Sequence, residues 1–318
     1  MVDHSIITAG IDTAKDKLDV AVRGMDRVVT FENSNAGFKR LAEHLTAEGV
    51  GRVGIEATGG YERGVTRHLQ KAGFEAVLLQ PLQVRAFAKM RLQRAKNDRI
   101  DARLIADCTH LLDAHNKMPP EPRFDALADH LTFIEQLEAD IVRIQTRLEH
   151  IHDARLRRMY VDDIKRLEKR VAAERRRLEA EARAHADLAT RLDLVRSVPG
   201  IGAPTALALV VRMPELGRVS REEAASIAGL APFVHQSGKF EGQTHIGGGR
   251  GRLRRPIYLA AFPAASHWNT ALVALYKRLR ARGRCHQAAL VACTRKLLIY
   301  ANAVVARGTP WEDRTASA

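Results

Sequence analysis

The stretch Ile6-Ile7-Thr8-Ala9-Gly10-Ile11-Asp12 reads as a buried strand ending on a carboxylate, and the elements that follow it decide the fold. An Asp after six mostly apolar strand residues is costly to bury without a partner. Working outward, residues 18–23 and 28–31 read as two more strands, joined by short polar connections at Lys15-Asp16 and Met25-Asp26. Phe38, Leu41 and Leu45 recur at helical spacing and place a helix over about 36–48. A strand over 52–56, a Gly59-Gly60 break, a helix over 61–72 and a strand over 76–79 complete the set before Pro81. Strand-strand-strand-helix-strand-helix-strand is the order of an RNase H-like domain, a mixed sheet covered by helices.

Three more carboxylates stand in telling places. Glu56 ends the apolar run Val53-Gly54-Ile55. Asp98 and Asp101 lie three apart in Ala95-Lys96-Asn97-Asp98-Arg99-Ile100-Asp101-Ala102, so a helix puts both on one face. Carboxylates gathered at strand ends repel one another unless a divalent cation neutralises them. Two Mg²⁺ ions about 3.5–4 Å apart, with Mn²⁺ as a substitute, are what phosphodiester chemistry uses. Asp98 is the member of the helical pair expected to bridge both ions. Taken alone, Asp101 reads equally well as an exposed partner of Arg103 or Lys96. Asp16 and Asp19 are rivals explained by pairing with Lys15 or Lys17.

With 51 Lys and Arg against 37 acidic residues, a formal charge of +14 and a pI near 10.1, the 318-residue chain suits a polyanionic partner. Nucleic acid comes first. A membrane reading is weak, because no apolar stretch approaches the roughly 18–20 residues needed to span a bilayer. The opening Met1-Val2-Asp3-His4-Ser5 has no signal-type core, so the expected place is the cytosol, at the nucleoid when acting. Cys108, Cys285 and Cys293 show no zinc-type spacing and read as reduced thiols. Aromatics make up only 5%, too few for broad base-stacking platforms, so nucleic acid is expected to be held mainly through its backbone.

Residues 125–198 contain neither Gly nor Pro. Leu127, Leu131, Ile134, Leu137, Ile141, Ile144, Leu148 and Ile151 form a heptad seam, resumed at Ile164, Leu167 and Val171. A coiled-coil hairpin turning near Tyr160-Val161-Asp162 fits as well as one long helix, and its arms pair with each other or with another subunit. Pro119-Pro120-Glu121-Pro122 reads as a linker. Val198-Pro199-Gly200-Ile201-Gly202, before a helix over 205–213, resembles the hairpin of a helix-hairpin-helix element. There Gly200 and Gly202 would offer backbone N–H groups to a phosphate; the alternative is an ordinary tight turn. Residues 229–251 are Gly-rich and read as a long irregular segment, with packing helices over 254–265 and 288–306 beyond. The expected division is 1–118, 119–194 and 195–318.

The chain resembles the DEDD-type insertion-sequence transposases, a family related to the Piv DNA invertases. The resemblance is carried by Gly10-Ile11-Asp12, by Ile55-Glu56-Ala57-Thr58-Gly59-Gly60-Tyr61-Glu62-Arg63, by the Asp98 and Asp101 motif, and by Val198 to Gly202. It continues through Ala228-Gly229-Leu230-Ala231-Pro232-Phe233, Ser237-Gly238, Gly247-Gly248-Gly249-Arg250 and Arg295-Lys296-Leu297-Leu298. It implies a RuvC-like N-terminal domain, a coiled coil and a C-terminal transposase domain. Asp12, Glu56, Asp98 and Asp101 would bind Mg²⁺, and Ser237 would be a nucleophile. A structured bridge RNA would guide the enzyme to double-stranded donor and target DNA, and subunits would join as dimers or tetramers. Asn97 stands where Thr is common, and Gly251 with Pro256 interrupts the basic stretch; Pro256 is expected to start its helix.

A serine hydroxyl is a weak nucleophile unless a base, a metal or nearby cations assist it. Lys239, Arg250, Arg252, Arg254 and Arg255 are the expected phosphate-binding cations, with His235 and His245 as proton carriers. The reading is a DNA transposase or recombinase working through a covalent Ser237–DNA intermediate. Its rivals are a site-specific invertase, a metal-only nuclease or junction resolvase using water, and an inactive nucleic-acid-binding protein.

Overall fold

The structure, a computed structural model, describes residues 6–92, 98–111, 121–233, 236–237, 240–241 and 245–312. It separates into two compact units, Met1–Pro119 and Pro120–Ala318.

The first unit is a five-stranded mixed sheet in the order β3-β2-β1-β4-β5. Its strands are β1 (Ile7–Thr13), β2 (Lys17–Val22), β3 (Val28–Glu32), β4 (Val50–Glu56) and β5 (Glu75–Leu79). The first three form an antiparallel meander, and β4 and β5 run parallel to β1. Strand alternation gives the sheet two different faces. On one, Ala9, Ile11, Val53 and Ile55 pack against Phe38, Leu41 and Leu45 of α1 (Asn35–Ala47) and Val65 and Leu69 of α2 (Glu62–Lys71). The Ser34 hydroxyl caps α1 by accepting from the Gly37 amide at 3.2 Å. Beneath β5, Val77 and Leu79 meet Val84 and Phe87 of α3 (Pro81–Met90) and Leu104, Ile105 and Cys108 of α4 (Asp98–Leu111).

The second unit begins with two long helices, α5 (Pro122–Leu148) and α6 (Ala154–Arg183), packed side by side. Leu127, Leu131, Ile134 and Leu137 of the seam are buried with Val171, Leu178 and Ala182. The turn falls at 149–153, about ten residues before the expected 160–162. The Asp153 carboxylate caps α6 through the Leu156 amide at 2.8 Å, and Arg157 donates to the Leu148 and Ile151 carbonyls at the end of α5. Nothing in Tyr160-Val161-Asp162 outweighs that cap, so those residues continue the helix.

The same core runs on through α7 (Ala186–Arg196), α8 (Ala203–Arg212), α9 (Arg221–Ile227), α10 (Gly251–Pro263), α11 (Thr270–Ala281) and α12 (His286–Arg307). The glycine-rich segment carries short ladders rather than wholly irregular chain. β6 (Pro232–Phe233) pairs with β9 (His245–Ile246), and β7 (Gln236–Ser237) with β8 (Phe240–Glu241). Pro256 lies inside α10, not at its start. Backbone contacts fix the helix origin five residues earlier: the Arg250 amide donates to Ile227 O at 2.7 Å, and the Leu253 and Arg254 amides donate back to Arg250 O. α10 passes into a π-helical turn, Ala264–Trp268. α12 is long and apolar enough to cross a membrane by length and composition, yet Leu290, Cys293, Leu297, Leu298 and Ala301 line this core.

Candidate active site

Asp12, next to last in β1, and Glu56, last in β4, lie at the ends of neighbouring parallel strands. Ile11 pairs with Ile55, so each carboxylate follows one residue beyond that pair, at the same level and half-buried. Two residues earlier, and therefore on the same face, Gly10 pairs with Gly54. α4 lies directly on this bare strip. A Cβ on Gly10 would come within 2.2 Å of Ala102 O, and one on Gly54 within 1.7 Å of Thr109 Oγ1. Thr8 Oγ1 donates to Ala106 O at 3.4 Å. Going up β1 from Thr8 to Gly10 thus means going back along α4 from Ala106 toward Ala102. The helix runs against the strand, and its first turn, Asp98 to Asp101, reaches toward the strand ends that carry Asp12 and Glu56. Asp101 is half-buried; Asp98 is described as a helix position only.

The loop after Glu56 is held by a residue that motif reading did not assign a task. The buried Glu62 carboxylate accepts from the Thr58 amide at 3.1 Å and the Gly60 amide at 2.8 Å. Its signal in the sequence is its position, two residues after a glycine pair at a helix start. Thr13 hydrogen-bonds Thr58, and Asn33 Nδ2 donates to Ala14 O and Tyr61 O, so the turn after β1 and the loop after β4 are tied together. Asp19 stands opposite Asp12 in register, and its carboxylate accepts from Thr30 Oγ1 at 2.6 Å and Lys17 Nζ at 2.8 Å. The expected Lys17 pairing therefore accounts for one of its oxygens, and Thr30 for the other.

In the second unit Ser237 sits in β7, paired with Phe240 across a two-residue connection. Gly238, Lys239 and His235 lie outside the described residues. The four arginines of Arg250–Arg255 divide by task. Arg250 makes a two-pronged pair with Glu215 at 2.7 and 2.9 Å and donates to Arg212 O. Arg254 donates to Gly229 O and Gly248 O. Both fix the frame. Arg252 is exposed and reaches Thr132 Oγ1 at 2.9 Å, and Arg255 is exposed. Together with Arg175 they line a cleft of about 550 Å³ over Leu207 and Leu259. Gly200, with φ +101°, packs so closely on the π-helical turn that a Cβ would meet Ala264 Cβ at 2.3 Å. Gly202 is exposed and caps α8.

Two family profiles match the chain. One describes a transposase of the DEDD IS110 type and covers residues 9–161; the other describes the IS116/IS110/IS902 transposase family and covers residues 192–277. The chain belongs to the IS110 transposase family. It is 27% identical over 321 residues to the pilin gene-inverting protein of Moraxella bovis, covering 96% of this chain and 97% of that protein, and equally to the protein of that name from Moraxella lacunata. It is 34% identical over 146 residues to the insertion element IS110 uncharacterized 43.6 kDa protein of Streptomyces coelicolor, covering 45% of this chain and 36% of that one. Among solved structures, T. thermophilus RuvC in complex with a Holliday junction substrate aligns at 18% identity, over 32% of this chain and 91% of that chain, with a TM-score of 0.27.

This IS110-family chain is thus a DNA recombinase or transposase, and its DEDD class points to divalent-metal dependence. The donors at the strand ends and on α4 suit such an ion, since carboxylate oxygens are what hard cations take. Among the described residues, which do not include the Asp98 side chain, no three His, Cys, Asp or Glu side chains already converge on one point.

Proposed function

We propose that this transposase cuts and rejoins DNA strands with Asp12, Glu56, Asp98 and Asp101 as its metal-binding quartet and Ser237 as its nucleophile. What carries the reading is the bare Gly10–Gly54 strip, on which α4 lies with its first turn directed to the Asp12 and Glu56 strand ends. Mg²⁺, or Mn²⁺ in its place, held there would stabilise charge on the phosphate and the departing oxygen. The Ser237 hydroxyl oxygen forms a bond to phosphorus as the bond to the departing sugar oxygen breaks. The serine gives up its proton, with His245 or His235 as carrier, and the departing oxygen gains one. Attack by the freed sugar hydroxyl of the new strand reverses the step and regenerates serine. Exposed Arg252 and Arg255, with Lys239, supply positive charge for DNA phosphates, and the Gly200–Gly202 turn acts as a helix-hairpin-helix contact.

The scheme requires both units to act on one phosphate, within one chain or across subunits joined through the coiled-coil pair α5 and α6. By family resemblance a structured bridge RNA selects donor and target. The full-length match to pilin gene-inverting proteins favours, as a second reading, inversion at fixed sites with the same chemistry. Trapping on a nicked suicide substrate tests the nucleophile: wild type accumulates a covalent adduct and Ser237→Ala does not, and equal adduct yields would return the attack to water. Strand exchange that survives Asp12→Ala in Mg²⁺ would remove the metal quartet.

A further inference from the structure

The run Lys277-Arg278-Leu279-Arg280-Ala281-Arg282-Gly283-Arg284 holds five basic residues and no acidic one, and all five are exposed. Among the described residues none of the five pairs with a carboxylate; Arg280 instead donates to the Arg284 carbonyl at 2.7 Å. Cations near a helix C-terminus gain from the helix dipole, which accounts for Arg278 and Arg280 in the last turn of α11. It does not account for Arg282 and Arg284, which lie past the helix end, where five like charges repel one another. The run is flanked by rings. His286 lies 5.8 Å from Tyr276 and 6.2 Å from Phe262, each edge-on, and Tyr276 Oη is 2.6 Å from His286 Nδ1. Phe262 is 54% exposed although it belongs to α10, so an aromatic face stands open beside the cations.

One turn back on α11, Leu275 lines a cavity of about 440 Å³ with Arg221, Arg295 and Lys296, and with Glu222, which is tied to Arg221. Arg295 Nε is buried there without a hydrogen-bond partner. The cavity and the basic run thus share α11. All of the run after Lys277 lies beyond the residues that the family profiles match.

We propose that the end of α11 and the start of α12 bind unpaired nucleotides of a polynucleotide strand, the arginines taking its phosphates and Phe262 stacking on a base. Duplex DNA would use the charges but leave Phe262 idle, because paired bases present no free face. An unpaired strand uses both.

Full-length protein titrated with short labelled single strands, DNA and RNA of one sequence, and with the matching duplex across a salt series tests the assignment. The variant R278A/R280A/R282A/R284A is expected to bind the single strand about tenfold or more weakly, with a salt slope lower by as much as about 3, at roughly 0.7 for each phosphate no longer neutralised. F262A is expected to lose about tenfold on the single strand and nothing on the duplex. Lysine at the same four positions keeps the slope, which separates lost charge from lost fold. The strand that loses more, DNA or RNA, identifies the source of the unpaired nucleotides. Wild-type affinity and slope in the alanine variant, or a Phe262→Ala effect absent from single strands, overturns the proposal.

Discussion

Substituting alanine for Gly10 tests whether α4 sets the spacing of the proposed acidic quartet. The new Cβ would stand 2.2 Å from Ala102 O, 2.3 Å from the Ala106 amide nitrogen and 2.9 Å from Ile105 C, against the 3.4 Å at which ordinary contact begins. All three are backbone atoms of α4, so no side-chain rotation relieves the overlap and the helix must move by about an ångström. Overpacking of this kind costs about 1–3 kcal/mol. For a unit of this size the thermal midpoint should fall by roughly 4–12 °C. The shift carries Asp98 and Asp101 away from Asp12 and Glu56, and an ångström of misplacement costs about a hundredfold in rate. Gly54→Ala offers the contrast, because its closest neighbour is a side chain, Thr109 Oγ1 at 1.7 Å, with Thr109 Cβ at 2.9 Å. Adding Thr109→Ala should restore much of the Gly54→Ala loss, while no truncation on α4 restores Gly10→Ala. Gly73→Ala, at φ +93° with nothing within 4 Å, should lose stability and keep its cleavage rate. Thermal unfolding and single-turnover strand cleavage read both quantities. A Gly10→Ala protein with the wild-type midpoint and rate would refute the reasoning.

Arg250→Ala, which removes the two-pronged bond to Glu215, should lower the unfolding midpoint, whereas Arg255→Ala should leave it unchanged and weaken DNA binding; equal midpoints for the two would contradict the division of the arginines. Burial raises the Cys108 and Cys293 thiols to about 11, so both stay neutral at mildly alkaline pH. Exposed Cys285 should then be the single thiol alkylated in the native protein, with all three modified in denaturant, as mass spectrometry would show. The hydrogen bond from Arg123 holds the Asp187 carboxyl below its ordinary value. That stabilisation is present above the unfolded pKa of about 3.9 and is lost as pH falls through the folded value. The midpoint difference between wild type and Asp187→Asn should accordingly be steady near neutrality and shrink in acid.

The first unit was open to sequence reading because its signals are local. Apolar runs ending on Asp12 and Glu56 mark strands, and the helical spacing of Phe38, Leu41 and Leu45 marks α1. The hairpin turn and the place of Pro256 within its helix are not legible locally, because distant groups decide them. Arg157 closes the end of α5 from across the turn, and Ile227 O fixes the origin of α10 from 23 residues away. Arginines of one loop look alike in sequence. That Arg250 serves Glu215 and Arg254 serves two carbonyls depends on where α8 and α9 end. The latch role of Glu62 was hidden for the same reason, since its partners are amides rather than side chains.

A motif shows the donors of a site but not the contacts that aim them, and in both units those contacts depend on missing side chains. Gly10 and Gly54 are inert, yet they let the α4 backbone lie close on the sheet, with its first turn directed toward the strand ends. In the second unit Gly229 and Gly249 interlock in the same way: a Cβ on Gly249 would meet the Gly229 nitrogen at 2.2 Å, and one on Gly229 would meet Gly248 O at 2.1 Å. That contact anchors the two ends of the segment bearing Ser237, and Arg254 bonds across it to Gly229 O and Gly248 O. Under the proposed chemistry, a relative that keeps every acid and the serine would still lose activity through one added methyl group. Variation at these glycines, as well as at the carboxylates, should then separate active copies from decayed ones.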